Sequence, residues 1–127
     1  MKKESRIIIF LLLLFTLCII VILIEAQTNS IRRIFDDFIY DNQNHYLSCE
    51  KLPNKAEVAK IIAEHQDVIR DIEAVNPGLV GVEIDTTVCQ GKADIIFWYA
   101  SHDNRLAIQE IIADETFFGI PYRLQNR

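Results

Sequence analysis

The chain has 127 residues, with thirteen basic and eighteen acidic side chains, a net charge of −5 and half its residues hydrophobic. That is enough for one small domain with one core. The acidic balance, without a basic cluster to meet phosphates, argues against nucleic acid as a partner and against adhesion to anionic lipid through a charged surface.

Residues 7–24, "IIIFLLLLFTLCIIVILI", form an apolar run whose only polar member is Thr16. As a helix the run spans roughly 27 Å, close to the hydrocarbon thickness of a bilayer. Soluble helices rarely go so far without a polar stripe. Lys2, Lys3 and Arg6 precede it and Glu25 follows it, which favours a cytoplasmic residue 1–6 segment and an exported remainder. Arg32 and Arg33 weaken that asymmetry slightly. The run is longer than the 7–15 apolar residues of a cleaved signal, and Ala26 supplies a small residue at only one of the two key positions. Nor does Leu17 before Cys18 suit lipid attachment. A single-pass signal anchor in the cell membrane is therefore expected, with secretion after cleavage as the alternative. Beyond residue 24 lie ten basic and seventeen acidic side chains, a net of −7.

Residues 25–44 read as a linker holding a short amphipathic helix, with the α+β domain at 45–127. Ser30 caps "SIRRIFDDFIY", in which Ile31, Ile34, Phe35, Phe38 and Ile39 recur at helical spacing. Such a helix can lie at the membrane, dock a partner or pack on the domain, and because Asp36 and Asp37 would meet anionic headgroups badly, packing on the domain is the expected outcome. After the polar "DNQN", the stretch "HYLSC" reads as a short strand. Asn54 and Glu57 then make a capping pair, and Val58, Ile61, Ile62, His65, Ile69, Ile72 and Val75 trace the face of one long helix ended by "NPG". His65 on that face reads as a core or edge histidine.

"LVGVEID" alternates as a half-buried strand, "TTVCQGK" turns, and "ADIIFWYA" supplies a more deeply buried antiparallel partner. Ser101 or Asp103 starts another helix, carrying Leu106, Ile108, Ile111 and Ile112. "FFGIPYRL" alternates as a last strand, with Pro121 demanding an edge or an outward-facing nitrogen. The order strand, helix, strand, strand, helix, strand is that of ferredoxin-like (βαββαβ) domains, helices on one face of an antiparallel sheet. In that topology Cys49 and Cys89 meet at one end of the sheet, where export would let them form a disulfide. Free thiols or a metal site are the alternatives for this pair.

No residue forms a recognisable catalytic, cofactor-binding or metal-binding motif. Glu83 and Asp85 project from the same side of one strand, with Asp94 nearby on its neighbour, an arrangement that performs acid–base chemistry or holds Ca²⁺ only within a cleft or a fuller ligand set. Both faces of "ADIIFWYA" are apolar, so the second face, with Ile96 and Trp98, needs cover. The 30–40 helix is the economical cover, and a protein partner or a second copy is the functional one. The expected role is a membrane-anchored, extracytoplasmic interaction module. Metal-assisted hydrolysis using Glu83, Asp85 or a histidine, and an inhibitor-like domain, are the alternatives.

Overall fold

A run of apolar side chains broken only by Thr16 gives a helix no polar stripe to turn toward water. In the computed structural model, which describes residues 2–127, that run lies within α1 (Lys2–Thr28). An 18-residue window within its Glu4–Thr28 portion has a mean hydropathy of 3.7 with no residue buried, and that portion is long and apolar enough to cross a membrane. Thr16 satisfies its hydroxyl inside the helix by donating to the carbonyls of Leu12 and Leu13, each at 2.9 Å. Asn29, at φ +50°, interrupts the helix. The Glu25 carboxylate then accepts from the amides of Ile31 (2.7 Å) and Arg32 (3.1 Å), which meets the orphan donors opening α2 (Ser30–Phe38). The chain forms two compact units, Met1–Ile34 and Phe35–Arg127.

In the second unit, Asn54 opens α3 (Lys55–Glu64) by accepting from the Glu57 amide at 2.8 Å, as the capping pair requires. The single helix expected as far as Val75 is two. His65 leaves helical geometry (φ −117°, ψ 39°), and α4 (Gln66–Glu73) starts beyond it. Tertiary packing overrides the pattern at this point, because the His65 ring lies flat on Phe118, centroids 3.4 Å apart and planes 4° from parallel. Val58 of α3 and Ile69 and Ile72 of α4 enter the core.

Strands β1 (Val80–Asp85) and β2 (Asp94–Tyr99) form the expected antiparallel hairpin, with Val80, Val82 and Ile84 opposite Tyr99, Phe97 and Ile95. Ser101 caps α5 (His102–Ile112), which leads through β3 (Thr116–Phe117) to β4 (Ile120–Asn126). β4 runs parallel to β2, and the sheet order is β1-β2-β4-β3. Pro121 pairs only with β3, ahead of the β2 ladder that begins at Tyr122, so its missing amide hydrogen leaves no gap. Helix residues Val58, Ile72 and Ile108 close on Ile95, Phe97, Tyr99 and Leu124 from one side of the sheet.

This mixed α+β sheet does not reproduce the ferredoxin-like order. "HYLSC" forms no named strand. Asn44 accepts the Tyr46 amide through its side chain (3.0 Å), His45 Nδ1 accepts the Leu47 amide (3.0 Å), and Tyr46 sits at φ +54°. Those local bonds take the donors a strand would need. Cys49 instead opens a 3₁₀ turn (Cys49–Lys51). The place beside β2 goes to β4.

Cys49 is bonded to Cys89, with Cα atoms 5.7 Å apart, fastening the 3₁₀ turn to the β1–β2 connection. Two further bonds close the same seam, from the Ala93 amide to the Pro53 carbonyl (3.1 Å) and from Lys55 to Gly91 (3.4 Å). The bridge spans 40 residues of sequence. Replacing Cys89 with serine should lower unfolding stability by about 2–4 kcal/mol, read as a drop in the urea midpoint with unchanged slope.

Candidate interaction surface

The sheet face turned away from the helices carries Gly81, Glu83 and Asp85 from β1, Asp94, Ile96 and Trp98 from β2, and Arg123 and Gln125 from β4. Asp94, expected only near Glu83 and Asp85, shares their face, and each of the three carboxylates has a guanidinium partner. Arg123 grips Asp94 with two bonds, Nε at 2.6 Å and Nη2 at 2.9 Å, and also donates to Asp85. Arg127 donates to Glu83. Asp94 is wholly buried and takes a third bond from His45 Nε2 at 2.8 Å. Because His45 Nδ1 already accepts the Leu47 amide, the ring proton lies on Nε2 and points at Asp94.

Burial pushes the Asp94 carboxyl up, yet the bonds from His45 and Arg123 outweigh it and hold the group below the usual carboxylate range. Asp85 follows the same course, with Thr87 and Arg123 overcoming burial. These carboxylates are structural ties rather than an open acid–base pair. Among the described residues, no group of three or more His, Cys, Asp or Glu side chains is placed to hold a metal ion.

The expected partner-facing pair divides. Ile96 is 4% exposed, flanked in register by Glu83 and Arg123, and offers a partner nothing to touch. Trp98 is half-buried, its indole lying over the glycine across the ladder so closely that a Cβ at Gly81 would overlap it. Nor does α2 cover this face, since none of its residues is buried. The charged side chains above Ile96 do that work.

One exposed aromatic sits at a turn where the sequence reading expected a strand. Thr116 pairs with Pro121 and Phe117 with Ile120, which leaves Phe118 and Gly119 as a two-residue hairpin loop. Both have positive φ, +50° and +87°, the signature of a type I′ turn that Asn-Gly normally fills. A phenylalanine held there carries a steric cost of about 1–2 kcal/mol. Its side chain is 51% exposed, stacked on His65 and set edge-on to Phe117 at 5.0 Å. Beside it lies a hollow of about 160 Å³ lined by Val68, Ile111, Ile112, Asp114, Thr116, Phe117 and Phe118. A second, polar cleft of about 100 Å³ lies between Asn42–Asn44 and Arg123–Gln125. Both are smaller than the roughly 300–1,000 Å³ of small-molecule pockets. Alternation from Phe118 to Leu124 concealed the turn, and Gly119 was the one signal for it.

No known family, curated protein or solved structure matches the chain.

The pH behaviour follows from the depressed carboxyls. A folded-state pKa below the unfolded one contributes stability that is complete above the ordinary carboxylate value near 4 and is lost as pH falls through the folded values. The urea midpoint should therefore fall steeply below about pH 4. Asp94→Asn should cost about 3–5 kcal/mol at pH 7, because it leaves Arg123 short of its buried partner, and should flatten the acid limb. Gly81→Ala should destabilise by about 1–3 kcal/mol through overpacking and shift the emission of Trp98, the sole tryptophan.

Proposed function

We propose that the chain is a single-pass membrane protein whose residues 35–127 work outside the cytoplasm as a protein-binding module, engaging its partner through the Phe118 hairpin tip. The span of α1, the basic residues ahead of it and the Cys49–Cys89 bond support that address. The observation that carries the binding role is the backbone at Phe118. An unfavourable conformation held by a bulky exposed side chain, where asparagine would relax the turn, is the pattern of a residue kept for what it touches. The adjoining hollow suits one apolar side chain from a partner, and its one acidic lining residue, Asp114, suits a basic neighbour to it.

The experiment separates binding from folding. Phe118→Asn should leave the urea midpoint within experimental error of the parent, because relief of about 1 kcal/mol of left-handed strain offsets a lost ring stack of similar size. The same variant should lose a photo-crosslinked adduct formed in intact membranes from a benzophenone side chain at Ile111, the hollow's exposed isoleucine. Undiminished crosslinking by the variant, or no adduct from Ile111 in the parent chain, would remove the proposal.

A further inference from the structure

The apolar residues of α2 recur at i, i+3, i+4 and i+7, as Ile31, Ile34, Phe35 and Phe38, with Ile39 extending the stripe. A helix on a soluble domain turns such a stripe inward. This one does the reverse. Phe35 is 49% exposed, Phe38 83% and Ile39 63%. Its acidic side makes the contacts with the domain: Asp36 accepts from the Tyr46 hydroxyl, and Asp37 pairs with Arg105, whose side chain is 8% exposed.

We propose that the apolar stripe of α2 is immersed in the interfacial layer of the bilayer that α1 crosses, so that α2 is a membrane-lying helix and not a covering helix of the domain. The inference rests on the membrane-spanning reading of α1 and goes beyond it. Chain continuity identifies lipid as the occupant. The apolar run ends at Ile24, and Glu25–Thr28 adds about one helical turn, roughly 6 Å, before the break at Asn29. That distance matches the interfacial layer, about 5–8 Å deep on each side of the hydrocarbon. A helix beginning there meets the depth at which interfacial helices seat their apolar faces. The two aspartates, which in an isolated peptide would oppose anionic headgroups, are engaged by Tyr46 and Arg105 on the domain side. Arg32 and Arg33 share the polar side with them, and Tyr40 follows immediately as an amphipathic ring suited to the same layer.

The test uses the full chain in phosphatidylcholine vesicles containing phosphatidylglycerol, with Cys18→Ser and the disulfide intact. Single nitroxide labels are placed through Ile20→Cys, Phe35→Cys, Phe38→Cys or Glu50→Cys, all exposed positions. Collision rates with oxygen, which partitions into lipid, are compared with those of a water-soluble nickel chelate. Ile20 should favour oxygen strongly and Glu50 the chelate. Phe35 and Phe38 should lie between them, with an oxygen-to-nickel ratio several-fold above that of Glu50. Nickel access at Phe35 and Phe38 equal to that at Glu50, with Ile20 still in lipid, would overturn the immersion while leaving the anchor standing. Shielding of Phe35 and Phe38 from both reagents would overturn it in favour of a protein surface. Nickel access at Ile20 would remove the anchor and the inference together.

Discussion

A buried guanidinium has to be matched by carboxylates, and Arg105 is the place where that requirement shapes this domain. Its side chain extends from α5 and meets two acids of a single preceding segment, Asp37 and Asp41 (Nη1 at 2.9 Å). Asp41 gathers more: His102 Nδ1 lies 2.7 Å from it, and its carbonyl accepts the Tyr99 hydroxyl. Burial alone would raise the Asp41 carboxyl, but His102 and Arg105 bring it below the ordinary range, while burial pushes the Tyr99 phenol up. With both acids of that segment committed to α5, α2 has its polar side fixed toward the domain. The outward direction of its apolar stripe is a geometric result of that pairing.

The same economy appears across the sheet. A two-sided apolar strand such as β2 usually demands a second layer of secondary structure. Here Glu83 and Arg123 flank Ile96 in register, Asp85 and Asp94 pair with Arg123, Arg127 pairs with Glu83, and the indole of Trp98 lies over Gly81. His45 brings the loop before the disulfide onto the same cluster. Three ion pairs, one histidine bond and a glycine take the place of a helix.

Local signals explain what the sequence made legible. The apolar run, the Asn54 and Ser101 caps, the β1–β2 hairpin with its facing pattern, and the Cys49–Cys89 bond all rest on neighbouring residues or on a single possible pairing. The misreadings share a different cause. "HYLSC" has strand-like composition, but Asn44 and His45 supply side-chain acceptors to the backbone two residues on. The long helix breaks at His65 because a ring more than fifty positions away stacks on it. The place of β4 beside β2 depends on which strand is free to fill the gap, and no local pattern encodes that. At the hairpin tip, the alternation of Phe118 with Ile120 and Tyr122 outweighed Gly119. For α2 the periodicity was plain, and its direction was not, because the direction is set by Arg105 far downstream.

The way the unit's first and last segments are sewn together governs how it would bear tension. Gln43 and Leu124 exchange two backbone bonds, each 2.9 Å, and Asn42 accepts the Asn126 amide at 2.7 Å. Tension on residues 42–43 is therefore carried into β4, which pairs with β2 from Tyr122 to Asn126. A module closed this way passes strain into an interior strand of its sheet.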